Sequence, residues 1–318
     1  MGAVFSFGRI ARREHTGVRK MGYLFLTISL LCGTAKGYCG KKISTFSNSF
    51  SDALSLNLLR MLLCTLMGLG LLLIQGKCGG LILDRRSALC ALWSAAANST
   101  FVIIWLMCAR RDAYMLINVF LMFGVIVTVV GSAVIPALNE PISCGSIVGL
   151  LLLLFSVVLM QGYDRKLKSR KMSVKDFLLL CLVSLSNGLC DLSQKYYMKT
   201  APAADATVFS FYTFAFSAMI LLFIRVGYRK PGSVSAVDMR KKVLPNIIAM
   251  SFFLFGCSLF KTIASAQLAS IHLYPLYQSA SMLLAAIMSA VLLHEALEIY
   301  SIVSIVFALC GVVLIGMT

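Results

Sequence analysis

Five charged residues stand inside long apolar runs of this 318-residue chain: Lys36, Arg60, Asp191, Lys195 and Lys261. A charge near the middle of a bilayer costs about 2.5–3.5 kcal/mol on insertion scales, so each needs a compensating reason. Lys36 with Arg60 would attract an anionic group of a solute; the alternative is that both side chains snorkel to the headgroups. Asp191 is a candidate carrier of a coupling proton, or else the acid of an i,i+4 pair with Lys195 in the favourable acid-first order. Lys261 either pairs with Asp191 or snorkels.

Depth follows from a rise of about 1.5 Å per residue. Lys36 lies about 22 Å into its run, and Arg60 reaches a similar level from the opposite end. Asp191 and Lys261 fall nearer the other face. The expectation is two cations at one level and an acid with a cation at another, with Lys36 out of reach of Asp191.

Other groups could complete a wet cavity. His272 precedes Tyr274, Pro275, Tyr277 and Gln278. A histidine can relay protons near neutral pH, and a proline inside a helix frees a backbone carbonyl. The alternative for His272 is an interfacial residue satisfied by its surroundings. Asn98, Trp105, Asn118, Asn187 and Gln194 are polar or amphipathic groups on the same kind of run; singly, each reads as interhelical glue. No catalytic residue emerges, because the chain has only twelve acids and no paired-aspartate motif. Eleven cysteines form no C-x-x-C pair and no His/Cys cluster with metal spacing, so no metal, disulfide or cofactor is expected.

The positioning elements are membrane helices. Apolar residues make up 59% of the chain, charged residues 13%, and mean hydropathy is +0.90. Soluble domains are less apolar and carry about twice the charge. The net charge of +17 lies in short gaps between apolar runs, which argues against nucleic acid and for headgroup contact. Ten runs have spanning length: 21–40, 54–75, 87–109, 113–135, 142–162, 176–197, 206–226, 243–263, 268–293 and 299–317. The expected organisation is a basic segment 1–20, a five-helix unit 21–162, a basic linker 163–175 and a second five-helix unit 176–318.

The two units repeat. Asn139–Gly149 aligns without a gap on His294–Ser304, so Glu140 falls on Glu295 and Ser146-Ile147-Val148 on Ser301-Ile302-Val303. Lys36–Cys39 aligns with Asn187–Cys190, and Asp52 with Asp205, each aspartate expected as a helix N-cap. An odd number of spans per unit inverts one unit relative to the other. Glu140 and Glu295 read as structural anions at the N-terminus of the helix that follows each. Gly145-x-x-x-Gly149 reads as a close-packing face for the fifth span, with Ser301-x-x-Ser304 of the tenth as its counterpart. Orientation stays open. Ten Lys/Arg fall on the face of the N-terminus and sixteen on the other, which puts the termini outside, whereas five cations before the first span put them inside.

Ten spans, the inverted repeat and a glutamate after the fourth and ninth spans resemble the drug/metabolite transporter superfamily, EamA-type. Ala285–Leu297 looks like that family's end-of-helix signature, with Pro275 upstream. The first unit departs from it: Phe120 stands where the second unit has Pro275, and Asn139-Glu140-Pro141 where Gly-Glu is usual. The resemblance covers roughly residues 20–317. It implies that spans one, three, four, six, eight and nine line a central cavity, that five and ten are peripheral, and that the termini are cytoplasmic.

The expected protein is therefore an all-α, multi-pass protein of the plasma or inner membrane, and not an enzyme. It would transport small organic metabolites by alternating access, driven by protons or exchange, since no nucleotide-binding P-loop occurs. Anionic or zwitterionic solutes are favoured. The competing readings are a multidrug or lipophilic-cation exporter, and, from another class, a non-transporting receptor or a lipid-modifying enzyme. Expected partners are the solute, membrane lipid and protons, with the chain a monomer or homodimer.

Overall fold

The computed structural model describes residues 2–47, 49–77, 84–111, 114–141, 143–168, 173–201, 205–228, 243–292 and 299–316. Among these the regular structure is entirely helical: α1 (Gly2–Ser44), α2 (Phe50–Ile74), α3 (Arg85–Arg111), α4 (Tyr114–Leu121), α5 (Phe123–Val134), α6 (Cys144–Lys168), α7 (Val174–Thr200), α8 (Ala206–Gly227), α9 (Leu244–Gln267), α10 (Ser270–Val291) and α11 (Ile299–Gly316). The all-α class is as expected. Five helices, α2, α3, α7, α8 and α9, are long and apolar enough to cross a membrane. Helix α1 takes in most of the basic segment 1–20, and α6 extends into the expected linker as far as Lys168.

Burial runs opposite to that of a soluble bundle. Leu62, Leu66 and Leu73 of α2 and Met219, Leu222 and Phe223 of α8 face outward, while Ser51, Asn57, Arg60, Ser210 and Ser217 are buried. Lipid tails are as apolar as leucine, so small and polar residues, not large apolar ones, distinguish the interior.

Helix ends are satisfied locally, as a water-poor surrounding requires. Ser49 caps α2 and exchanges hydrogen bonds with Asp52 in a capping box. Asp52, the third residue of the helix, is thus the first-turn partner of a serine cap, not the cap expected from sequence. Its counterpart Asp205 is itself the cap of α8, accepting from the N–H groups of Thr207 and Val208. At the far end of α2, Gly76 takes φ +66°. There the Lys77 N–H reaches the Leu72 carbonyl and the Gly76 N–H that of Leu73, the paired closure that a left-handed residue allows.

The expected fourth span is divided at Met122 into α4 and α5. The Ser184 hydroxyl donates to the Phe120 carbonyl at 2.6 Å, replacing part of the interrupted helix ladder. Beside it α5 and α7 cross where Gly124 meets Gly188; a Cβ on Gly188 would fall 2.8 Å from the Val127 Cβ and 3.0 Å from the Gly124 Cα.

The principal helix contacts are α1 with α9, α3 with α7, α2 with α8, and α6 with α11. In the last pair, a Cβ on Gly311 would lie 2.6 Å from the Gly149 carbonyl oxygen, and the Ser304 hydroxyl donates to the Ser156 carbonyl. The fifth and tenth expected spans do pack together, but the small residue facing Gly149 is Gly311, while Ser304 meets Ser156.

Two consequences are testable. Gly188→Val forces a side chain against the Gly124 backbone and Val127 and should cost about 1–3 kcal/mol, read as a lower melting temperature in detergent; an unchanged value would mean the crossing is loose. Asp205 lies at a helix start beside Lys77. Burial pushes its carboxyl up, but Lys77 and the N–H groups of Thr207 and Val208 outweigh it, and the net direction is down. Its stabilisation is therefore present above the ordinary carboxylate value of about 3.9 and lost as pH falls through the lower folded value. Asp205→Asn keeps an acceptor without the titration. Wild type should exceed it in melting temperature at neutral pH, with the gap closing in acid; a pH-independent gap would contradict the assignment.

Candidate functional site

A cavity of about 60 Å³ lies among the helices from both units. Gly33, Lys36 and Gly37 line it from α1, Arg60 from α2, and Phe101, Val102 and Trp105 from α3. Asn118 and Leu121 enter from α4, Asn187 from α7, Met250, Leu254 and Lys261 from α9, and Tyr277, Gln278 and Ser281 from α10. A second space of about 50 Å³ shares Lys36, Phe101, Asn187, Leu254 and Lys261 with the first, and adds Asn98, Asp191, Gln194 and Thr213. The shared residues make the two spaces neighbours on either side of a common wall. α6 and α11 contribute nothing to either lining, whereas α2 and α8 do, beyond the six helices that the family resemblance implied.

The first space depends on missing side chains along α1. A Cβ at Gly33 would lie 2.5 Å from the Tyr277 hydroxyl, and one at Gly40 would lie 2.6 Å from the Trp105 ring. Glycine at these positions lets both rings reach α1.

Asp191 and Lys261 form a buried ion pair between α7 and α9. The Tyr274 hydroxyl donates to the Asp191 carbonyl at 2.7 Å. The Lys261 ammonium also lies 5.0 Å from the Tyr277 ring centre, within range of a cation–π attraction. The Tyr277 hydroxyl in turn is 3.1 Å from the Cys257 sulfur. Arg60 is 4% exposed. Its guanidinium meets the Met250 thioether at 3.3 Å, and its Nε has no hydrogen-bond partner. The Lys36 ammonium likewise makes no hydrogen bond or ion pair among the described residues.

Three expectations change. The charges do not separate into two levels: Lys36 lines the first space with Arg60 and the second with Asp191, and Lys261 lines both. Long flexible stems carry charge well away from the backbone level that residue counting gives. Asp191 does not take Lys195 along its own helix. Lys195 instead donates to the carbonyls of Ser265 at 3.0 Å and Leu268 at 2.6 Å, at the C-terminal end of α9. That end has free carbonyls and a negative dipole. Glu140 does serve a helix N-terminus, but not that of α6, where Ser143 accepts from the Ser146 N–H. It accepts from the Ser270 N–H of α10 at 2.9 Å and lies 3.4 Å from Lys195.

Asn139 explains how Glu140 gets there. Its φ of +43° is left-handed, a conformation that glycine adopts freely and asparagine tolerates better than most residues. A glycine, as the resemblance implies for this position, would take the same conformation without strain.

Of the remaining expected site residues, Asn98 is held by the Ser217 hydroxyl at 3.0 Å. Trp105, Asn118, Asn187, Tyr277 and Gln278 face the first space. Tyr274 supports Asp191 from outside it, and His272, at the start of α10, lines neither space. Pro275 lies inside α10, where its carbonyl accepts from Ser279 at 2.8 Å. Gly145 and Gly149 lie on α6 away from the cavity. Glu295 is outside the described residues. Sequence reasoning missed Thr213 and Ser281, whose hydroxyl types carry no distinguishing pattern. No group of three or more metal-ligating side chains occurs among the described residues.

The buried pair predicts strong coupling. Asp191→Leu alone should cost about 3–5 kcal/mol, because it strands Lys261, whereas adding Lys261→Met to it should recover most of that loss. Melting temperatures of the singles and the double supply the test. Additivity within about 0.5 kcal/mol would mean the residues act independently.

The comparisons with known proteins agree with this architecture. The family model described as EamA-like transporter family matches residues 174–317. A search of curated proteins returns no match. A solved structure, titled only "Crystal structure of protein", superposes with a TM-score of 0.68 at 12% identity, covering 94% of this chain and 98% of that one; at that identity it speaks for the fold alone. The five long apolar helices and the family match together make this a multi-pass membrane protein. Its second half, residues 174–317, matches the EamA-like transporter family model, as the resemblance to the drug/metabolite transporter superfamily leads one to expect.

Proposed function

We propose that this protein is a secondary transporter of small organic solutes, working by alternating access in a plasma or inner membrane and selecting anionic or zwitterionic metabolites. The observation that carries the reading is the central cavity with Lys36 and Arg60 on its wall and no counter-charge committed to either. A charge kept in such a place marks a solute or ion route more often than a structural role.

The proposed architecture is ten spans in two inverted units. The contact pattern supports it. Exchanging each helix for its counterpart turns the α1–α9 contact into the α3–α7 contact, and returns α2–α8 and α6–α11 to themselves. A pseudo-two-fold relation has this property, and a site at its centre can be exposed to either side by rocking one unit against the other. On this reading the solute enters between α1, α3, α7 and α9, and coupling runs through exchange or through protonation of Asp191. His272 has no part in the cycle.

A lipophilic-cation exporter is the weaker reading. Its substrate needs a carboxylate facing the cavity, and Asp191 is engaged by Lys261. An enzyme is weaker still, since among the described residues Asp191 is the only carboxylate on either lining.

Counterflow of labelled organic acids into vesicles reconstituted with the full chain tests the proposal. Saturable flux is expected for wild type. Lys36→Ala should lose transport of the acid while its melting temperature and elution profile stay close to wild type. Full flux in that variant would remove the cation site from the mechanism.

A further inference from the structure

We infer that the central cavity is built for a compact dianion, a solute bearing two negative charges such as a dicarboxylate or a phosphate monoester, rather than for a singly charged or zwitterionic solute. The inference rests on the transporter reading and narrows its substrate class.

The charge count comes first. Among the described residues three cations, Lys36, Arg60 and Lys261, line the two adjoining spaces against a single carboxylate, Asp191. Asp191 is committed to Lys261. Two positive charges are therefore left without protein counter-charge on the linings. Each repels the other in a surrounding where Coulomb interactions are weakly screened. A ligand with one negative charge would leave one of them uncompensated; a ligand with two would balance both.

Hydrogen bonding gives the same answer independently. Arg60 is 96% buried by surface area, being 4% exposed. A guanidinium offers five N–H donors in a rigid fork. Here a thioether sulfur is the side-chain group's acceptor, at 3.3 Å, and Nε is unsatisfied. Thioether sulfur is a weak acceptor, and leaving a buried charged donor unmet is costly. A carboxylate or phosphoryl group matches the fork with two parallel hydrogen bonds. The Lys36 ammonium, a flexible point charge on α1, could then meet the second charge.

A zwitterion fits worse. Its ammonium needs a carboxylate, and taking Asp191 would strand Lys261. Size narrows the class further. Spaces of about 60 and about 50 Å³ suit a compact body, not a drug-sized one. Asn118, Asn187, Gln278 and Ser281 supply neutral donors and acceptors for the polar remainder of such a molecule.

The test compares isosteric probes on the purified full chain in detergent, at mildly alkaline pH, by calorimetric titration. Succinate and glycerol phosphate are the dianions; monomethyl succinate and alanine are the singly charged and zwitterionic controls. Wild type should bind at least one dianion about tenfold more tightly than monomethyl succinate and alanine. Arg60→Gln and Lys36→Gln should each erase that preference, while Arg60→Lys, which keeps the charge without the fork, should retain part of it. Equal or tighter binding of the monoester or of alanine overturns the inference, and so does failure of both dianions to bind. The wild-type comparison alone decides, should a variant not fold. Saturable vesicle flux of a singly charged or zwitterionic solute would overturn the dianion class and leave the transporter reading standing. Dianion binding without flux of any solute would do the reverse.

Discussion

The ion pair between Asp191 and Lys261 sets the terms for the interior. It ties α7 to α9, and these helices are also the main partners of α3 and α1 respectively. Loss of either member would strand a charge where water is scarce, which is why the surroundings are arranged around both. Tyr274 fixes the Asp191 backbone, and Tyr277 offers its ring to Lys261 and its hydroxyl to Cys257. The pair also decides the electrostatics of the cavity. Because it is internally neutral, the field that a solute meets comes from Lys36 and Arg60. Had Asp191 paired with Lys195 along its own helix, Lys261 would have added a third free cation, and α7 and α9 would have lost their cross-link.

A second constraint is the fate of helix ends away from bulk water. The corner between α9 and α10 uses one ion pair for two termini. Lys195 covers the terminal carbonyls of α9, and Glu140 covers the first N–H of α10. Each charge has the sign that its helix end prefers, and the two lie 3.4 Å apart. On the other side of the molecule Lys41 donates to the Ala109 carbonyl at the end of α3, at 2.7 Å, and Ser44 supports the same carbonyl. Lys195 and Lys41 near span ends thus hold helix termini, a structural use for part of the chain's positive charge.

What the sequence discloses and what it hides follow from range. The all-helical class, the helix positions and the facing of α6 and α11 are carried by long apolar runs and by a local small-residue pattern, so they are legible without coordinates. Lys36, Arg60, Asn187 and Tyr277 could be singled out because polar groups in apolar runs are conspicuous. Their mutual placement could not be read, because it depends on helix tilt and on stem lengths that residue counting ignores. The break at Met122 was hidden for a related reason. Phe120 lacks the proline of its counterpart, and the interruption is supported by a hydroxyl from Ser184, 64 residues away in sequence. Asn139 departs from the pattern that the resemblance implies, yet it takes a left-handed φ of +43°, a conformation open to glycine.

The charged cavity wall also breaks the proposed repeat in a telling way. Lys36 aligns with Asn187, and both line the cavity. Continuing the register that matches Asp52 with Asp205 sets Arg60 opposite Thr213, and Thr213 lines the adjoining space with an unsatisfied hydroxyl. The first unit therefore presents two cations where the second presents neutral polar groups. A rocking motion needs the backbones of the two units to be alike, since both outward and inward forms reuse the same packing in exchanged roles. Solute recognition has no such need. A symmetric set of four cations would add repulsion without adding selectivity for a small solute. On the proposed reading, confining charge to Lys36 and Arg60 would let one unit hold an anion, while the other supplied hydrogen bonds and the internally neutral Asp191–Lys261 pair.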